Sequence, residues 1–168
     1  LAVCLLAAGS GVNAQSKIGY ISVDNMVLLM PETRKIDSLL QQFQSDSLNP
    51  QLGYLVAEYG RKDSLLKDSS KLGRAVTNQI KQEMANIEYQ VQNWQAFVQQ
   101  AMQAKQEELL EPIYRKVIGA INDEAKAKGY THVYNKEALL VAPPGDDLLP
   151  LVAKRLNVTL PAGATQGN

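Results

Sequence analysis

The sequence predicts an α+β fold, mostly α: a small β-rich body split between the two chain ends, with a long antiparallel helical hairpin between them. Three observations predict it. Ile80, Met84, Ile87, Val91, Trp94, Val98 and Ala101 recur at alternating four- and three-residue steps, a heptad seam. Upstream, Ile36, Leu39, Leu40, Phe43, Leu48, Leu52, Leu55, Val56, Tyr59, Leu65 and Leu66 repeat at helical spacing among Gln, Ser, Asp and Lys. Short β-prone stretches stand outside both runs, at Lys17–Val23 and after Gly129.

The chain opens on an apolar run, Leu1–Ala8, followed by small residues ending Val12-Asn13-Ala14. An uncharged apolar stretch with an A-x-A-like end is the rear part of a secretory signal peptide, so residues 1–14 read as a leader cleaved after Ala14. Cys4, the only cysteine, lies inside that stretch, and the mature chain is expected to carry no thiol. An exported domain without disulfides must find its stability in packing and oligomerisation.

Residues 15–31 and 129–160 are expected to form the split body. Lys17-Ile18-Gly19-Tyr20-Ile21-Ser22-Val23 alternates as a strand, Asp24 stands where a helix N-cap belongs, and Pro31 stops a short apolar helix. Residues 32–128 form the hairpin. Its first arm runs from Thr33 to about Lys67, with a kink predicted at Asn49-Pro50 and Gly53. The tip falls at about 68–74, around Ser69-Ser70 and Gly73. The second arm is expected to be one helix, bent but not ended by Pro112, closed by a basic last turn and a C′ glycine at Gly129. At 1.5 Å per residue the arms span roughly 50 and roughly 80 Å. Tyr130–Asn135 and Ala138–Val141 read as two short strands joined at Lys136-Glu137. Asp146 or Asp147 then caps a final helix, Leu148–Leu156, and residues 161–168 read as a disordered tail.

No catalytic constellation emerges, and the chain reads as a non-enzyme without cofactor or metal. His132 is the only histidine, which leaves no multi-histidine metal site within one chain, and its place in a predicted strand next to Val133 reads as structural or solvent-exposed rather than catalytic. Gly145-Asp146-Asp147 is better explained by helix capping than by metal ligation. Lys plus Arg and Asp plus Glu both number 17, so no basic surplus exists to neutralise nucleic-acid phosphates. No later stretch approaches the roughly 18 apolar residues of a bilayer span, so membrane association is at most peripheral.

The informative chemistry lies on the arms. Nine glutamines fall between Gln79 and Gln106, with Met84, Tyr89, Trp94, Phe97 and Met102 among them. Ile80, Met84, Ile87, Val91, Trp94 and Val98 are assigned to the hairpin seam. Tyr54, Tyr59, Tyr89, Phe97 and Met102 are the candidate binding residues, a sparse lining of aromatics and flexible methionine suited to many partners.

The layout, together with Lys17–Val23 running into Asp24-Asn25-Met26, Leu109-Leu110-Glu111-Pro112-Ile113, Ala125–Tyr130 leading to His132-Val133-Tyr134, and Val152–Leu156, resembles the Skp/OmpH family across the mature chain. The resemblance implies a homotrimeric, ATP-independent periplasmic holdase. Its helical tentacles would enclose unfolded outer-membrane β-barrel proteins and prevent their aggregation. It also implies that Ile18, Tyr20, Ile21, Val23, Val133, Tyr134, Leu139 and Val141 build the body and trimer contacts. The chain departs from the family's best-known members in its neutral charge and in Pro50, Gly53 and Gly60 on the first arm. An exported structural or adaptor coiled coil, docking one defined partner, is the alternative reading.

Overall fold

Strand β1 (Ile18–Ile21) and strand β2 (His132–Asn135) pair in parallel, in the register Ile18↔His132, Gly19↔Val133, Tyr20↔Tyr134 and Ile21↔Asn135. Parallel neighbours cannot be joined by a tight turn. Here the whole helical segment between them is the crossover. The computed structural model describes residues 16–68 and 72–161. The predicted leader, residues 69–71 of the tip and the predicted tail beyond Pro161 lie outside the described residues.

Between the strands run α1 (Val23–Leu29), a 3₁₀ turn (Thr33–Lys35), α2 (Ile36–Phe43), a π-helical segment (Gln44–Leu48), α3 (Asn49–Lys67), α4 (Arg74–Gln92) and α5 (Trp94–Lys128). After β2 come two 3₁₀ turns, Lys136–Ala138 and Pro144–Asp146, and α6 (Leu149–Arg155). The mostly helical α+β class read from the sequence is the class observed. The chain divides into two compact units. One combines the described residues up to Leu29 with those from Lys116 onward, and the other is Met30–Arg115.

In the first unit β1 is covered along both edges. β2 lies on one side, and on the other Tyr20 bridges to Asp147, with Leu148 N–H donating to the Tyr20 carbonyl at 2.9 Å. Tyr20, Ile21, Met26, Val27, Val117, Ile121, Leu148 and Val152 form the core, each at most 6% exposed. Glu124 and Arg155 pair at 2.8 Å and tie α6 to α5. Gly19 sits where a side chain has no room: a Cβ there would run into the Leu148 side chain and lie 2.8 Å from the Tyr130 ring. α5 ends in a Schellman arrangement, with Tyr130 N–H donating to Ala125 O at 2.9 Å and Gly129 N–H to Lys126 O at 3.2 Å. Gly129 has φ +72°, the left-handed conformation that glycine adopts without steric cost and that the predicted C′ position requires.

Three expectations are corrected here, and a fourth takes a more specific form. The helix after β1 starts one residue before Asp24. Its first turn is held instead by Ser22, whose carbonyl accepts from Met26 N–H at 3.1 Å and whose hydroxyl accepts a long bond from Asn25 N–H, 3.4 Å. Ala138–Val141 is not a strand: Lys136–Ala138 makes a 3₁₀ turn, and Leu140 and Val141 are 103% and 81% exposed. Local β-preference cannot make a strand without a neighbour to pair with. The second arm is two helices rather than one, interrupted at Asn93 with φ −95° and ψ 10°. The predicted kink at Asn49-Pro50 takes the form of a π segment immediately upstream. A proline ring clashes with the carbonyl four residues back, here that of Asp46, and the wider π turn relieves the clash.

Other expectations hold. Pro112 lies inside a continuous α5. Leu148 occupies the N-cap position of α6, and Asp147 supports its first turn from one residue outside, its Oδ1 accepting from Leu149 N–H at 2.8 Å, with Pro150 in that turn.

Candidate binding surface

In the second unit α3 and α4 run antiparallel around a narrow apolar seam. Ile80, Met84 and Ile87 are buried on α4, and Leu55 is buried on α3. Their four- and three-residue spacing keeps one stripe of α4 facing α3. The seam then fades. Val91 is 37% exposed, and Trp94 and Val98 are half-buried. The structure thus places the first three predicted seam residues in the core and leaves the next three partly open.

A polar clasp flanks the seam. Tyr59 Oη donates to Glu88 Oε1 at 2.5 Å, and Lys62 Nζ bonds Glu83, crossing from arm to arm. Glu58 receives Arg61 at 2.6 Å and Lys62 at 3.2 Å, while Gln79 Nε2 donates to Glu83 at 2.9 Å. Hydrogen bonds from Arg61 and Lys62 hold the Glu58 carboxyl well below its usual range, at about 2. The same contacts, to Glu83 first and then Glu58, push the Lys62 ammonium up.

The sign of the pH dependence follows. Glu58 is held by partners on its own helix and so stabilises α3, whereas the Glu83 carboxyl is lowered first by Lys62 of the facing arm. The Glu83 contribution to arm pairing is present above the ordinary value and fades as pH falls below it. Lys62, shifted upward, loses its contribution only on the alkaline side. The cross-arm pair is therefore expected to stay intact at pH 5 and to weaken as pH falls below the ordinary carboxyl value of 4.5. Carboxyl-carbon NMR of Glu83 checks this: a midpoint at that of free glutamate would show that the cross-arm pair does not form in solution.

Of the candidate binding residues, Tyr59 is spoken for by its bond to Glu88. Tyr54 and Tyr89 are 67% and 68% exposed. Phe97 is 43% exposed and packs on Trp94 with ring centroids 5.2 Å apart, and Met102 is half-buried. Tyr89 and Phe97 line one small cleft of about 170 Å³ with Gln51, Gln90, Asn93 and Trp94. Tyr59 lies instead in a broader depression of about 430 Å³, with Val56, Glu88, Val91 and Gln92. The structure therefore brings Tyr89 and Phe97 to one site and separates Tyr59 from it.

Sequence reasoning missed Val56 as surface, at 56% exposed, and assigned Val91 and Trp94 wholly to the seam. The signal for Val56 was present, since it immediately follows the buried Leu55 and so falls off the seam stripe. For Trp94 no local signal exists, because heptad spacing alone does not reveal a helix break at Asn93.

Of the residues assigned to the body, Tyr20 and Ile21 are core, and Val23, Val133 and Leu139 are half-buried. Ile18, Tyr134 and Val141 are exposed at 48%, 47% and 81%. An open groove of about 350 Å³ lies between α5 and β2, with Ile118, Ile121 and Ala125 on the helix side and His132–Asn135 on the strand side. His132 is exposed, with Nδ1 3.1 Å from Thr131 Oγ1 and its ring stacked on Tyr134. Among the described residues no group of three or more His, Cys, Asp or Glu could hold a metal ion, and no helix is long and apolar enough to cross a membrane.

The chain thus combines a two-stranded parallel sheet with an antiparallel helical hairpin that leaves several aromatics open to solvent. The family model described as outer membrane protein (OmpH-like) matches residues 17–156, and the chain belongs to that family. The 2.83 Å crystal structure of a candidate outer membrane chaperone (OmpH-like) from Caulobacter crescentus CB15 is similar, with a TM-score of 0.49 and 18% identity over 91% of this chain and 90% of that one. The search of curated proteins gave no match.

Proposed function

We propose that this chain is a periplasmic holdase chaperone, exported by a cleaved signal peptide. It would bind unfolded outer-membrane β-barrel proteins without ATP and act as a homotrimer. The observation that carries this reading is the lining of the arms: Tyr54, Tyr89 and Phe97 lie off the buried seam stripe and stay largely open to solvent. Isolated aromatics each offer a modest apolar contact of no fixed geometry, and the glutamines between them hydrogen-bond backbone of any sequence. Membership of the OmpH-like family supports the same reading. Oligomerisation through the body gives a use to apolar side chains that the single chain leaves bare, Leu140 and Val141 above all.

The buried seam of Ile80, Met84 and Ile87 disfavours a dedicated adaptor, because the stripe a coiled-coil partner would read is already covered within the hairpin. The test dilutes a urea-unfolded outer-membrane barrel with and without the mature chain, following light scattering and the mass of any soluble complex. Suppressed aggregation with three chains per client is the expected result. Unchanged aggregation over a range of chaperone excess overturns the proposal.

A further inference from the structure

Where the seam fades, the two arms leave a cleft between them. Gln51 of α3 lines it together with Tyr89, Gln90, Asn93, Trp94 and Phe97 of the second arm, around about 170 Å³. Tyr89 stands near the end of α4, and Trp94 and Phe97 stand in the first turn of α5, so the break at Asn93 gathers three rings from two helices. Trp94 and Phe97 pack with centroids 5.2 Å apart and planes tilted by 35°. Phe97 and Tyr89 remain exposed all the same, and both keep free ring surface for another.

Size and charge narrow the ligand. Sites for small molecules and cofactors usually exceed about 300 Å³, so this cleft has room for one ring rather than for a whole cofactor. None of the described residues that line it is charged. A phosphate, carboxylate or ammonium would lose hydration there without an opposite charge in return. The polar groups are amides. Asn93 Nδ2 donates to the Tyr89 carbonyl at 2.7 Å, which leaves its Oδ1 to accept. Gln51 and Gln90, both exposed, each bring a donor and an acceptor. These groups match the N–H and C=O that flank a side chain on a polypeptide. A sugar ring needs several hydroxyls satisfied together by fixed partners, and exposed glutamines must first be ordered to provide that.

We propose that this cleft is a pocket for one aromatic side chain of an extended, unfolded polypeptide. The ring packs against Trp94, Phe97 and Tyr89, and the amide rim takes the flanking peptide groups. Rings attract one another beyond the area they bury, so an aromatic side chain binds more tightly than an aliphatic one of similar size. The pocket deepens the holdase reading and rests on it for the source of the ligand. Outer-membrane barrels carry girdles of aromatic residues at both membrane interfaces, and before folding those rings have no partner. A pocket that prefers rings selects such chains over unfolded polypeptides poorer in aromatics.

Trp94 is the only tryptophan, so its indole N–H resonance reports on the cleft directly. The test titrates the full chain with N-acetyl-phenylalanine amide, N-acetyl-leucine amide and methyl glucoside, with no client present. The phenylalanine amide is expected to shift the indole resonance saturably in the millimolar range. The leucine amide should bind ~2–10-fold more weakly, and the glucoside should leave the resonance unmoved. Nuclear Overhauser contacts should run from the ligand ring to Trp94 and Phe97, and not to Tyr59 in the neighbouring depression. Phe97→Leu keeps the cleft apolar and should shrink the difference between the two amides. An unmoved indole, equal affinity for both amides, a preference for the glucoside, or a difference untouched by Phe97→Leu would each overturn the pocket. No barrel and no aggregation enter this test. Its failure leaves a holdase that grips its clients elsewhere, and failure of the dilution test leaves a ring-binding cleft.

Discussion

Replacing Gly19 by valine is expected to unfold the body under conditions where the parent chain is stable. The Cβ alone would collide with the Leu148 side chain and lie 2.8 Å from the Tyr130 ring, and Leu148 is fully buried at 0% exposed. Neither neighbour can withdraw freely. Leu148 sits at the start of α6, where its N–H is bonded to the Tyr20 carbonyl, and Tyr130 carries the Lys17 ammonium 4.1 Å above its ring. Overpacking a tight core costs about 1–3 kcal/mol for small insertions, and two further methyl groups push the cost to the top of that range or past it. Against a total stability of about 5–15 kcal/mol that is a large fraction. With a urea dependence of about 1–3 kcal/mol per molar, the midpoint for loss of β1 amide protection should fall by about 1–2 M.

Gly53 supplies the contrast. A Cβ there meets nothing within 4 Å, and the residue lies inside α3, so Gly53→Ala should stabilise its helix by about 0.5–1 kcal/mol. If Gly19→Val left the urea midpoint unchanged, the packing of β1 against α6 described here would be wrong.

Gly19 also shows where sequence reading stops. The strand around it was legible from the β-branched and aromatic run Ile18, Tyr20 and Ile21, but the need for glycine was not. That need comes from Leu148 and Tyr130, more than a hundred residues away, brought there by the bridge to Asp147 on one edge of β1 and the pairing with β2 on the other. Signals confined to one turn read well: the C′ glycine at Gly129, the Asp147 carboxylate at the start of α6, and the heptad from Ile80 to Ile87 all appear as spacing predicts. The misplaced features depend on partners. Ala138–Val141 has the composition of a strand and no neighbouring strand, so it stays extended and bare. The pattern through Val91, Trp94 and Val98 continues the heptad, yet the facing arm at that level carries Gly53 and Pro50, with little to pack against. The candidate binding residues were legible as residue types, because aromatics off the seam stripe must face outward. Their grouping was not, since Tyr59 is drawn to Glu88 while Tyr89 and Phe97 share a cleft with Gln51 of the opposite arm.

The combined substitution of Tyr54, Tyr89, Phe97 and Met102 by serine is expected to weaken retention of an unfolded barrel by ~30-fold or more while leaving the chaperone folded. The estimate follows from area. A client chain sampling many poses covers each of these side chains only in part, by about 20–40 Å² on average, which at about 25 cal/mol per Å² is about 0.5–1 kcal/mol each. Four sites then supply about 2–4 kcal/mol, and tenfold in affinity corresponds to about 1.4 kcal/mol. The fold should tolerate the change, because Tyr54, Tyr89 and Phe97 are exposed at 67%, 68% and 43%, and surface substitutions move stability by only about 0.5 kcal/mol either way. Met84→Ala is the opposite case. Met84 is 9% exposed in the seam, so its truncation should cost about 2–5 kcal/mol and loosen the arms without removing any surface aromatic. Tyr59→Phe should lose the bond to Glu88 and leave client retention nearly unchanged. Fluorescence anisotropy of a labelled unfolded barrel, read beside urea melts of the same variants, separates the two effects. Full retention by the four-serine variant would mean that clients are held elsewhere than on these aromatics, whatever the rest of the hairpin does.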